Sequence, residues 1–273
     1  MPLTSPSPRR SKWRQMIRSP LFDVLQFAFL ILGILWFFAR GTESLGYYWH
    51  WYQVPKYIFT LDENGFTAGP LLEGLWVTFR ISGISLLFAF VIGLTTALLR
   101  MSHSFVAQSM ARLYLEMVRN TPLLIQLFFI YFVLGPVLGL DRFPSAILAL
   151  SLFEGAYASE IFRAGIVSIH HGQWEASYSL GLSNVQMYTH IILPQALRRI
   201  LPPLTSQAIS LIKDSALVST IAIYDLTMQA QAIISETFLT FELWFTVAAM
   251  YLVVTMSLSM VVFIMEKRFR IRT

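Results

Sequence analysis

No cysteine occurs among the 273 residues, which excludes disulfides, thiolate metal sites and cysteine nucleophiles. Charge is scarce too, at 13% of the chain, where a soluble domain carries about 25%. No glycine is followed by lysine anywhere, so the chain has no GxxxxGK[ST] phosphate loop and is not expected to bind ATP itself. The five histidines show no metal-ligand spacing, and no serine-histidine dyad or pair of catalytic aspartates lies at a depth that would suit an intramembrane enzyme. What is abundant is apolar surface, at 56% of residues. It comes in long blocks near the ~20 residues a helix needs to cross ~30 Å of hydrocarbon.

These blocks predict an all-α membrane protein with about six transmembrane helices. Residues 1–20 carry Arg9, Arg10, Lys12, Arg14 and Arg18 with no acid, and an apolar run from Leu21 to Ala39 follows. The run ends without a small-x-small cleavage site, so it is expected to stay as a first span. Residues 41–70 read as an external loop, with Tyr47, Tyr48, Trp49, Trp51 and Tyr52 placed as at a headgroup boundary. Five further apolar segments lie near 72–99, 113–140, 144–168, 195–221 and 241–265.

The net charge of +5 is a topology signal rather than a nucleic-acid signal, because the basic residues sit in short loops and tails. Alternating the six spans places fifteen of the twenty Lys and Arg on one side. Both termini are therefore expected in the cytoplasm. The expected organisation is a basic N-terminus (1–20), an added first span with its external loop (21–70), a transmembrane domain (71–265) with a cytoplasmic loop at 169–194, and a basic C-terminal tail (266–273).

That cytoplasmic loop is the most specific stretch. In HHGQWEASYSLGLSNVQMYTHIILPQA, Glu175, Ala176, Gly181, Ile191, Leu193 and Pro194 fall at relative positions 0, 1, 6, 16, 18 and 19. A short helix from Trp174 to Leu180 can end on Gly181 in a left-handed cap. Ala176, Ser177 and Ser179 keep much of its surface small, and Pro194 suits the first turn of the next span. The spacing resembles the EAA loop of binding-protein-dependent ABC importer permeases, with Ser177 standing where the family has a second alanine. The resemblance extends over most of residues 70–265 and looks nearest to the polar amino-acid uptake branch. It is carried also by the stretches GLWVTFRISGIS, MVRNTPLLIQLFFIYF, EGAYASEIFRAGI and SLIKDSALVSTIAIYDL.

The resemblance implies a type I permease in a bacterial inner membrane, working by alternating access. It implies a second permease subunit, identical or a sister, a pair of cytoplasmic ATPases that hold ATP and Mg, and an extracytoplasmic solute-binding protein. It implies no cofactor on the permease chain itself. Trp174, Glu175, Ala176, Ser177 and Gly181 are expected to couple to the ATPase. The solute expected is a polar amino acid, with acidic ones favoured. An ion-coupled secondary amino-acid transporter is the alternative, and it has no need of the Glu175–Pro194 pattern.

Charged groups inside spans cost ~2.5–3.5 kcal/mol each, so each needs a partner, a cavity or a boundary. Glu160 with Arg163, and Glu116 with Arg119, are spaced for pairing within one helix. Glu154 has no such neighbour and needs a partner from elsewhere. Ser206, Ser210, Lys213 and Asp214 recur at intervals of three or four and form a polar stripe. Asn120, Thr121 and Pro122 predict a bend, with Gln126 placed to satisfy freed backbone or face solute. Asn120, Gln126, Glu154, Ser206, Ser210, Lys213 and Asp214 are the expected translocation residues.

Overall fold

The computed structural model describes residues 20–44, 46–62 and 65–269. The basic stretch 1–19 and the end of the tail, 270–273, lie outside the described residues. The chain divides into two units, one ending at Trp49 and the other running from His50 onward. The first contains α1 (Pro20–Ser44), whose apolar segment Phe22–Gly41 is long enough to cross a membrane.

The second unit opens with short helical turns at Trp51–Gln53 and Pro55–Ile58 and an antiparallel hairpin of β1 (Phe59–Asp62) and β2 (Gly65–Ala68). Gly69 follows, and its N–H bonds the Ile58 carbonyl at 2.8 Å. A side chain there would meet the Tyr57 carbonyl oxygen at 2.5 Å, so only glycine lets the hairpin fold back directly onto the next helix.

That helix is α2 (Pro70–Met101), 32 residues long. After it come α3 (Phe105–Arg119), the helical path α4 (Leu123–Leu138) and α5 (Arg142–Val167). The short α6 (His171–Ser179) leads to the path α7 (Asn184–Ile221), then α8 (Leu226–Thr237) and α9 (Thr240–Phe269). Helices α1, α2, α5 and α9 each have the length and apolarity to span a bilayer, and the pairs α3–α4 and α7–α8 bring the total to as many as six if each bent pair is one span.

Two expected spans take a different form. The segment near 113–140 is not one rod, because α3 and α4 meet at 106°. Pro122 adopts extended geometry at φ −62°, ψ 140°, and its missing N–H cannot continue the helix. The span expected at 195–221 begins earlier, at Asn184, and turns by 46° into α8. Pro194 therefore sits within a continuous helical path rather than starting it.

Both broken paths contain a π-helical turn, at Phe129–Leu134 and Met187–Ile192. Each ends two residues before a proline, Pro136 or Pro194. A proline ring collides with the carbonyl four residues back in an α-helix, and widening the preceding turn relieves this.

Helices α2 and α5 approach closely along small residues. A Cβ on Gly93 would meet that of Ala158 at 2.7 Å, and one on Gly155 would meet Ile92 at 2.8 Å. Small residues at such a seam let backbones approach without any hydrophobic drive from water. Around it lie three buried apolar clusters. One, with Ile81, Leu127, Leu150 and Leu211, joins α2, α4, α5 and α7. A second, with Ala97, Phe162, Met187 and Ile200, fixes the loop carrying α6. A third, with Leu71, Leu226 and Leu243, ties α2 to α8 and α9.

Candidate functional site: a braced surface helix and a polar seam

Helix α6 starts at His170, whose Nδ1 accepts from the Gly172 N–H at 3.1 Å. Its end is a Schellman motif: Gly181 N–H bonds Tyr178 O at 2.9 Å and Leu182 N–H bonds Ser177 O at 3.1 Å, with Gly181 left-handed at φ 69°. Two residues on, Ser183 and Gln186 form a reciprocal capping box that starts α7. A helix stop and a helix start thus stand almost back to back, and residues 171–192 form a rigid elbow.

The elbow is braced against the spans. The Trp174 ring meets Tyr188 edge-on at 5.4 Å, and its Nε1–H donates to Ile169 O at 3.4 Å. Arg199 reaches back from α7 to the Ser168 carbonyl, and to the Ser168 hydroxyl at 2.9 Å. Gln195 donates to Gln173 at 3.3 Å.

This bracing sorts the expected coupling residues. Glu175 and Ala176 are exposed, and Glu175 lies 3.0 Å from His171 Nδ1 one turn back. Trp174 is half-buried and serves as the anchor. Ser177, expected on the surface offered to a partner, is instead 2% exposed and donates to Gln173 O at 2.6 Å. It stands three residues after Trp174, so it shares the anchored face. The outward face is larger and more apolar than expected: Tyr178 is 58% exposed, Leu180 77% and Val185 72%. The Ser-x-x-Gln spacing at 183–186 is the sequence signal of this second helix start.

Within the spans, Glu154 is 1% exposed. Its partner is Gln207 of α7, whose Nε2 donates to Oε2 at 2.7 Å, while Oε1 has no hydrogen-bond partner among the described residues. Ser206, Ser210 and Lys213 line one space, an open-sided pocket of 300 Å³ bordered by Ser259, Val262 and Phe263 of α9. Asp214 and Glu154 are not part of its wall. Asn120 and Gln126 are engaged at the bend. Asn120 Nδ2 donates to the Glu116 carbonyl and carboxylate, each at 2.8 Å. Gln126 Nε2 donates to Val118 O at 2.7 Å and Thr121 O at 3.0 Å, supplying donors to carbonyls that the break leaves open.

The ion pairs also rearrange. Glu160 pairs with Arg163 at 3.1 Å as expected, but it also holds Arg100 of α2 and, at 3.5 Å, Arg119 of α3. Arg119 pairs with Glu160 rather than with the expected Glu116, whose carboxylate accepts from Asn120. One carboxylate thus joins three helices where α2 and α3 end.

Comparison with known proteins gives a consistent set of relatives. A family described as binding-protein-dependent transport system inner membrane component matches residues 89–271. The chain is 40% identical over 204 residues to the glutamine transport system permease protein of Escherichia coli (strain K12), covering 74% of this chain and 93% of that protein. It is 40% identical over 203 residues to the L-cystine transport system permease protein of Bacillus subtilis (strain 168), covering 73% and 86%. A chain from the crystal structure of an amino acid ABC transporter with histidines is 36% identical and superposes with a TM-score of 0.69, over 73% of this chain and 94% of that one. A chain of an inward-facing methionine ABC transporter, 20% identical, shares the fold with a TM-score of 0.62 over 74% and 96%.

Proposed function

The chain belongs to the family of binding-protein-dependent transport system inner membrane components, as a permease of the amino-acid ABC importers, and from that premise we propose how it works. It pairs with a second permease in a bacterial inner membrane, with both termini in the cytoplasm. The elbow at residues 171–192 docks on a cytoplasmic ATPase that holds ATP and Mg. An extracytoplasmic binding protein delivers the solute to the opposite side. Movement of the ATPases drives the elbow, and α5 and α7 follow it, so the spans alternate between inward-open and outward-open states.

One observation carries this reading: α6 is held on one side, with Trp174 packed on the cluster of Phe162, Met187 and Ile200 and edge-on to Tyr188, and Gln173 bonded by Gln195 of α7, while Glu175, Ala176, Tyr178 and Leu180 face outward. A helix held so firmly on one side passes on a push as a rigid body. The exposed Tyr and Leu supply the kind of apolar anchor that fills a partner's pocket.

The solute proposed is a polar α-amino acid. The two named relatives carry glutamine and cystine, so a neutral polar amino acid is the first candidate to test beside the acidic ones suggested by sequence. The pocket of Ser206, Ser210 and Lys213 is the proposed stretch of solute route on this chain, with Asp214 beside it. Glu154 with Gln207 acts as the nearby polar joint between α5 and α7, and Asn120 and Gln126 hold the bend that shapes α4.

The test is uptake into proteoliposomes containing the assembled complex. Uptake is expected only with ATP inside and binding protein outside. Uptake by this chain alone, driven by an ion gradient, would establish the secondary carrier instead.

A further inference from the structure

The hairpin of β1 and β2 is amphipathic in a way its register makes explicit. Phe59 pairs with Ala68 and Leu61 with Phe66, while Thr60 pairs with Thr67 between them. Opposed residues share a face and successive residues alternate, so one face carries Phe59, Leu61, Phe66 and Ala68 and the other the two threonines. Leu61 is 72% exposed and Phe66 63%, with Phe59 stacked on Phe66 at 5.8 Å. A lone two-stranded hairpin is marginal in water, and an exposed apolar face makes it more so.

Beside the hairpin runs an apolar groove of 720 Å³ between α2 and α9, lined by Trp51, Ile58, Leu72, Leu75, Phe245 and Met250 among others. Ile58 is the residue immediately before β1, so the groove and the hairpin are continuous. Trp51 and the 77% exposed Tyr52 stand at the same end of α2, the position of an interfacial aromatic belt. Among the described residues no charged one lines the groove, whereas a water-soluble partner's docking site would carry a polar rim.

We infer that this surface binds lipid: the apolar face of the hairpin lies in the membrane interface, and an acyl chain of the same leaflet occupies the groove beneath it. The hairpin is then a float that fixes the depth of α2, to which Gly69 joins it rigidly. The inference rests on the reading that α2 crosses a bilayer.

The absence of cysteine makes the test direct. Single cysteines at Leu61, Phe66, Thr60, Thr67 and, as a mid-span reference, Val91 of α2 are spin-labelled in the complex reconstituted in phospholipid nanodiscs. Collision with oxygen, which partitions into lipid, is compared with collision with a water-soluble nickel chelate. Labels at Leu61 and Phe66 are expected to lose nickel access and gain oxygen access, as at Val91, while Thr60 and Thr67 stay open to nickel. If Val91 reads as lipid and all four hairpin labels read as water, the inference fails while the span stands. If Val91 itself reads as water, the spanning arrangement fails first. Protection of Leu61 and Phe66 that appears only when the solute-binding protein is added would also overturn it, by assigning the face to protein.

Discussion

Gly181 offers the sharpest test of the elbow. Its φ of 69° is left-handed, yet a Cβ there would meet nothing within 4 Å, so replacement costs backbone conformation alone and no collision. For an ordinary L-residue that cost is ~1–2 kcal/mol, which corresponds to a factor of about 5–30 in the population of the intact elbow. Asparagine tolerates the left-handed region, alanine less well, and β-branched valine least. ATP-coupled amino-acid uptake in proteoliposomes should therefore fall in the order Gly, Asn, Ala, Val, with the chain still inserting and co-purifying with its partners. Gly181→Asp adds a second reading, since it has the backbone tolerance of asparagine plus a charge. Failure of Asp where Asn works would locate position 181 at the docked surface. Wild-type uptake by Gly181→Val, or equal loss for Asn and Val, would refute the idea that the left-handed cap matters.

Two further predictions concern the joints between spans. A Cβ on Gly165 would collide with the Ile200 side chain, so Gly165→Ala should destabilise the purified complex by ~1–3 kcal/mol, read as a lower melting temperature. Ile200→Ala made on top of it should cost less than it does alone, and simple additivity would argue against that contact. Gln207→Leu removes the donor that meets the buried Glu154 carboxylate and should cost ~1–3 kcal/mol in thermal unfolding. Glu154→Gln keeps an acceptor for Gln207 and should melt close to wild type. Its uptake then decides whether the carboxylate serves transport or only joins α5 to α7.

The apolar runs made most spans legible, because a helix crossing lipid must be apolar over nearly its whole length. What sequence alone did not convey was direction. Pro122 marked the break, but the 106° between α3 and α4 depends on how α3 packs once the helix ends. The hairpin was read only as loop, although Asn64-Gly65 between FTL and FTA is a strong turn signal; the neighbouring tryptophans and tyrosines drew the reading toward a headgroup boundary. Gly181 was correctly expected as a left-handed cap, since glycine after a short helix has few other uses. Ser177 was misplaced because size alone does not say which face of a short helix its anchor will claim; Trp174 claimed it. Gln207 as the partner of Glu154 lay beyond reach, as nothing along the chain says that positions 53 apart will meet.

The length of α2 has a consequence for the membrane itself. At 1.5 Å per residue, its 32 residues extend to about 48 Å, well beyond the ~30 Å of hydrocarbon in a typical bilayer. Such a helix answers a thicker or thinner membrane by changing its tilt. Because α5 runs alongside it with backbones almost touching at Gly93 and Gly155, the two must lean together. Bilayer thickness thus becomes a variable that sets the angle of the whole pair.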